Sequence, residues 1–247
     1  MTSVSVVTLA KGRSDHLVNV VRGLTLQARR PDELIVAVMQ DELYTLPVAP
    51  FPIRQIRIVG DALPLATARN AAARLATGDV LVFLDMDCIP APDLISDYAG
   101  FAAEFDGLLM GEVMYLPGGA TAAGCDYDRF AQVAVKHSDR RGPPPRGIEV
   151  CADYRCFWSL NFAMRRDTFL RIGGFDERYR GYGGEDTDQA RVRVLGQFPR
   201  TATRQLISTE AVNKAMKHET EGWQLLPKVM GCDIARFGEN SSVVCIR

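Results

Sequence analysis

Asp79-Val80-Leu81-Val82-Phe83-Leu84-Asp85-Met86-Asp87 is an apolar run that ends abruptly in two carboxylates. Residues 80–84 form the continuous hydrophobic stretch that fills the centre of a sheet covered on both faces. The two acids follow at once, spaced so that both reach one small volume. In open α/β sheets, ligands gather beyond the carboxyl ends of the strands. An acidic pair there suits a divalent cation carrying a diphosphate, because carboxylate and phosphate oxygens are hard ligands that share one metal.

Working outward, the preceding residues alternate strand and helix signals. Val4 to Leu9 reads as a strand, followed by the turn Lys11-Gly12-Arg13. Ser14 is the expected N-cap of a helix carrying Leu17, Val20, Val21 and Leu24 on one face, stopped by Arg30-Pro31. Leu34 to Met39 and Ile53 to Val59 are two further strands. Leu65 to Leu75 is an alanine-rich helix with Gly78 as its expected C-cap. This order is that of a mostly parallel, nucleotide-binding α/β half. Beyond the acids, Asp93 can cap a helix through Leu94, Ile95, Tyr98 and Phe101, and Leu108 to Leu116 reads as one strand. Gly142-Pro143-Pro144-Pro145-Arg146-Gly147 can be neither helix nor central strand, so a loop is expected. Asn161 to Met164 is a short strand, Arg166 to Ile172 a helix ended by Gly173-Gly174, and Gly181 to Asp186 a glycine turn running into acids.

The chain has 247 residues, 47% hydrophobic and 24% charged, with a formal net charge of -1. That is an ordinary globular composition with room for a sizeable core. Near-neutral charge argues against a partner bound through bulk positive charge, so no nucleic acid is expected. The start Met1-Thr2-Ser3-Val4 lacks a signal-peptide pattern, and no apolar run approaches the ~20 residues of a membrane span. The six cysteines contain no C-x-x-C pair, so free thiols and a cytoplasmic location are expected over a disulfide or zinc framework.

Taken together, Val6-Val7-Thr8-Leu9, Thr67-Ala68-Arg69-Asn70 and Leu84-Asp85-Met86-Asp87 resemble a GT-A-fold glycosyltransferase of the family-2 type. The stretch from Asn161-Phe162-Ala163-Met164, through Gly173-Gly174-Phe175-Asp176-Glu177, to Gly181-Tyr182-Gly183-Gly184-Glu185-Asp186 is similar to the C-terminal motif of galactosyltransferases. The resemblance implies a Rossmann-like α/β fold with a mixed, mostly parallel sheet over residues 1–190, a donor half 1–90 and an acceptor half 91–190. It implies an inverting, metal-dependent hexosyltransferase that moves a sugar from a nucleotide-diphospho-sugar, most simply a UDP-sugar, to a carbohydrate or other hydroxyl acceptor. Asp87 would ligate Mn²⁺ or Mg²⁺, and Asp85 would contact the ribose or assist the metal. Thr8 would meet the base, with Arg69 near the base or diphosphate. After the second strand the family often has an acid, where this chain has Met39-Gln40-Asp41, so Gln40 or Asp41 would substitute. Asp186 matches the general base, Glu185 would hold a sugar hydroxyl behind Gly184, and Tyr182 occupies the place of an aromatic sugar platform.

Each role has a plainer counterpart. Asp186 and Glu185 also suit the acidic start of a helix. Arg69 also fits a solvated helix face, Thr8 a strand-end hydroxyl, and Tyr182 core packing. A catalytically inactive sugar-nucleotide-binding domain is the competing reading of the whole.

The last quarter departs from this pattern. Arg191 to Pro199, Gln205-Leu206-Ile207-Ser208 and Met230 to Gly238 resemble the linker and opening strand of the nuclease domain of phage terminase large subunits. There Asp233 would match the first metal-binding carboxylate, but the partner carboxylates from later strands would fall beyond Arg247, and no P-loop is present. Residues 191–247 are therefore expected to be a terminase-like fragment in a chimeric, phage-related chain, without nuclease or motor activity. His218 lies near the place of the family's last metal ligand, with Ala215 three residues earlier where a second ligand is common.

Overall fold

The computed structural model describes residues 2–136 except 61 and 62, then 144, 147–151, 153–179, 181 and 184–196, and two strands at 230–233 and 243–246. Two compact units divide the chain, Met1–Pro199 and Arg200–Arg247.

The first unit is built on a six-stranded sheet. Its strands are β1 (Val4–Ala10), β2 (Glu33–Val38), β3 (Ile53–Arg57), β4 (Val80–Asp85), β5 (Leu109–Met110) and β8 (Asn161–Arg165), in the order β3-β2-β1-β4-β8-β5. β1, β2, β3 and β4 pair in parallel, and β8 runs antiparallel to both β4 and β5. The chain builds outward from β1 to β3 and then returns to the other side of β1. Such a reversal opens a crevice at the carboxyl ends of β1 and β4.

The strand period of two sorts side chains onto both faces. Val4, Val6, Leu34, Val36, Val80, Val82 and Leu84 form one layer under α1 (Ser14–Thr25) and α3 (Leu94–Glu104). Val7, Leu9, Ile35, Ala37, Leu81 and Phe83 form the other, under α2 (Leu65–Leu75) and α5 (Arg166–Arg171). The second layer is rich in aromatic rings. Phe83 stacks on Phe162 with centroids 4.4 Å apart, and Phe169 and Phe175 close around the pair. The alanines of α2 let that helix lie close to the sheet.

Several local expectations change. Arg13, not Ser14, is the N-cap of α1; its φ is 40°, and Ser14 is already the first helical residue. Two successive left-handed residues, Gly12 and Arg13, turn the chain too sharply for Ser14 to stay outside the helix. Asp93 caps α3 without a side-chain hydrogen bond. α2 ends at Ala76 in extended geometry, and Gly78 serves another purpose: a Cβ there would lie 2.6 Å from the Ser5 amide nitrogen. The stretch 108–116 is two short strands, β5 and β6 (Met114–Tyr115), and β6 pairs with β7 (Val135–Lys136) in a separate ribbon. α4 (Tyr127–Val133) lies between them in sequence, capped by Asp126. Of the 142–147 segment, only residues 144 and 147 are described, and both lie outside helix and strand.

In the second unit, β9 (Met230–Asp233) and β10 (Val243–Ile246) form an antiparallel pair, with Asp233 opposite Val243.

Candidate active site

The site grows from the end of β4. Along that strand Leu81 and Phe83 face α2, and the same alternation turns Asp85 toward α2 as well. Arg69, on α2, lies there and is only 4% exposed. Its Nη2 sits 3.5 Å from Asp85 Oδ1, and its Nη1 sits 3.3 Å from Glu185 Oε1. The guanidinium also lies over the Phe175 ring, 5.1 Å from the centroid. A buried arginine is tolerated only with such partners, since an unpaired charge in low dielectric is costly.

Phe175 is held by the residue next to Arg69. The Asn70 Nδ2 donates to the Phe175 carbonyl at 2.8 Å, and the Phe175 amide donates back to Asn70 Oδ1 at 2.9 Å. Gly173 and Gly174 precede it with φ of 80° and 59°, and a Cβ on Gly174 would lie 2.4 Å from Asn70 Oδ1. The paired glycines therefore let the chain turn back against α2.

After Phe175 the chain returns to the site at α6 (Gly184–Asp188), which continues as a π-helical turn, Gln189–Val194. Glu185 is 2% exposed; Oε1 meets Arg69, and Oε2 has no hydrogen-bond partner among the described residues. Asp186 Oδ2 accepts a hydrogen bond from the Ser159 amide at 3.2 Å, while Oδ1 likewise lacks a partner. Gly184 packs against the Tyr179 ring, which a Cβ would approach to 2.7 Å.

The charges of the other acids are felt at Asp85. Burial pushes the Asp85 carboxyl up from 3.8 to about 6; Arg69 pulls it down, and the charges of Asp87 and Asp186 push it further up. Asp87 lies at the mouth, paired with Arg13 at 3.3 Å, with both side chains well exposed. Three carboxylates thus gather their charge at the end of β4, from positions a hundred residues apart in the chain. That excess suits a divalent cation with oxygen ligands. No group of three or more His, Cys, Asp or Glu side chains is ready-assembled for a metal among the described residues. His218 and Tyr182 lie outside the described residues.

Two expected donor contacts sit differently. Thr8 is fully buried, paired in the sheet between Val36 and Leu84. The period of two puts it on the α1 side with Val6 and Ala10, on the face opposite Asp85. Gln40 does lie at the end of β2, but it braces the turn after β1. The Gly12 amide donates to Gln40 Oε1 at 2.7 Å, and the Tyr44 hydroxyl donates to the Gly12 carbonyl at 2.8 Å. Sequence reasoning missed Arg13, read only as part of a turn. It also missed Ser159, which acts through a backbone amide and carries no residue signal. A separate depression of about 530 Å³ lies at the opposite end of β4, around Asp79, Arg165 and Arg166, and contains none of these residues.

Known proteins resemble the chain in sequence stretches and in fold. Residues 39–123 match the model of glycosyl transferase family 2, and residues 148–198 match the model described as the N-terminal domain of galactosyltransferase, where a C-terminal motif was expected. The second match continues through residues 191–198. Two curated relatives, both validoxylamine A glucosyltransferases of Streptomyces hygroscopicus (subspecies jinggangensis and limoneus), are 26% identical over 197 residues, 68% of this chain. The chain spans only 43% and 40% of their lengths. Among solved structures, S. aureus TarS is similar with a TM-score of 0.51 at 16% identity, over 75% of this chain and 32% of that one. Its 1–349 fragment in complex with UDP has a TM-score of 0.54 at 17% identity, over 76% and 54%. The first unit has the GT-A fold, and the two matched stretches are those of glycosyltransferase families.

Proposed function

We propose that the chain is a glycosyltransferase that moves a hexose from a nucleotide-diphospho-sugar, a UDP-sugar, to an acceptor hydroxyl with inversion. One observation carries the reading: acids from the end of β4 and the start of α6 meet around one buried arginine, at the sheet's ligand-binding edge. The glucosyltransferase relatives make UDP-glucose the first donor to test.

In this reading Asp186 is the general base. The Ser159 amide fixes Oδ2, and Oδ1, buried and without a partner among the described residues, is the oxygen that would take the proton as the acceptor oxygen attacks the anomeric carbon from the side opposite the diphosphate. Asp87, assisted by Asp85, would hold Mn²⁺ or Mg²⁺, whose charge offsets that of the departing nucleoside diphosphate. Arg13 supplies positive charge at the same mouth. Gln40 shapes the turn that receives the base. Gly184 and Tyr182 would form the acceptor side, Tyr182 on the resemblance alone. The transferase part is residues 1–190 together with the 191–198 stretch that the galactosyltransferase match covers; the terminase-like segment beyond it is an appendage of phage-related origin. The location is cytoplasmic, in keeping with Cys88, Cys125 and Cys151 standing outside any disulfide; no helix among the described residues is long and apolar enough to cross a membrane.

The test is turnover of UDP-glucose with Mn²⁺, with and without EDTA, on wild type and Asp186→Asn. Metal-dependent release of UDP that falls about 10²–10⁴-fold in the variant supports the proposal. Tight donor binding by wild type with no turnover would instead favour a silent sugar-nucleotide-binding domain.

A further inference from the structure

The resemblance makes Arg69 a ligand contact, yet its surroundings point inward. We infer that Arg69 is a positioning residue that couples the donor-side acid Asp85 to the acceptor-side acid Glu185. The inference rests on the function proposed above.

Arg69 is nearly sealed from solvent, and its two terminal nitrogens are divided between carboxylates 100 residues apart in sequence. One nitrogen serves β4, where the donor diphosphate would lie. The other serves α6, which carries the base Asp186 as its next residue. The Phe175 ring beneath the guanidinium, pinned by Asn70, limits its movement. Because one cation serves both acids, each acid's hold on it depends on the other. A ligand that engages Asp85 loosens its pull on Arg69 and leaves the guanidinium to Glu185, which draws the start of α6 toward the site. By reciprocity, loss of the Glu185 charge leaves Arg69 to Asp85 alone and makes that carboxylate less available to a ligand. A planar two-nitrogen fork is needed for this sharing. The compact ammonium of lysine cannot reproduce it.

A thermodynamic cycle in the full chain tests the coupling. The probe is whichever of UDP, GDP, ADP, CDP or dTDP raises the melting temperature most with Mn²⁺ present, and its affinity is read by calorimetric titration. Asp85→Asn, Glu185→Gln and the double variant are compared in the wild-type and Arg69→Lys backgrounds. With Arg69 present, Glu185→Gln alone should weaken binding about fivefold and add little once Asp85→Asn is in place. In the Arg69→Lys background the two effects should combine independently, within about twofold. A purely structural arginine would lower the melting temperature but leave the coupling between the acids unchanged. If Arg69→Lys does not fold, judged by circular dichroism, Arg69→Gln replaces it. Independent effects in the wild-type background, or a coupling that survives loss of Arg69, overturn the inference while the functional reading stands. Failure of every nucleotide to bind overturns the reading and the inference with it.

Discussion

Asp85→Asn should make this protein more stable while weakening its hold on a nucleotide. The folded chain keeps the Asp85 carboxyl protonated up to about 6, against an ordinary 3.8. Between those values the folded state binds the extra proton, so stability falls as pH rises from about 4 to about 6, and the full penalty applies above. A rise of that size corresponds to about 3 kcal/mol. The side chain is 29% exposed, and solvent screening trims the penalty to about 1–2 kcal/mol. Asparagine resembles the neutral acid, remains within reach of Arg69, and leaves Arg69 its bond to Glu185. For a unit of this size, melting temperature at pH 7.5 should therefore rise by about 2–8 °C. At pH 4.5 the gain should shrink to about a third, because wild-type Asp85 is by then largely protonated. Thermal melts of both proteins, followed by circular dichroism across pH 4–8 without added metal, measure this directly. A variant less stable than wild type at pH 7.5, or a difference that does not change with pH, refutes the reasoning.

Other substitutions probe the frame that holds the site. Burial alone would raise the Glu33 carboxyl, but hydrogen bonds from Ser5, Thr77 and Arg54 outweigh it and hold the group below 4.5. Its contribution is present above pH 4.5 and is lost as pH falls through the lower folded value; Glu33→Gln should cost about 1–3 kcal/mol in urea unfolding at pH 7, and less below pH 4. Gly174→Ala places a Cβ against Asn70 at a φ of 59° and should cost about 2 kcal/mol or more, with a matching loss of melting temperature. Phe162→Ala removes the ring that stacks on Phe83 at the centre of the aromatic layer, and should cost about 3–5 kcal/mol by chemical denaturation.

Much of the frame was legible in residues alone. The apolar run of β4, the alternation at β1 and β2, and the alanine helix α2 carry their period locally, so their positions follow from short stretches. The acids at 85, 87, 185 and 186 stood out because their order and spacing resemble a glycosyltransferase motif, although each also has a plainer structural role. Local pattern misled where the deciding neighbour was remote. Gly78 reads as a helix cap but answers to Ser5, far back in the chain. The stretch 108–116 reads as one strand, yet its two ends pair with different partners.

Side-chain direction is the other boundary. A strand's period assigns residues to alternate faces without saying which helix will cover each face, so the place of Thr8 on the α1 side was not legible in the sequence. Arg69 sits on a helix whose sequence suits either water or core. Its burial between Asp85 and Glu185 exists only once β4, α2 and α6 have been brought together. Residues fixed the elements and supplied the acids through short-range geometry and solubility. The pairing of charges more than a hundred positions apart was decided by chain closure, because only a packed, low-dielectric interior makes one guanidinium the necessary partner of both.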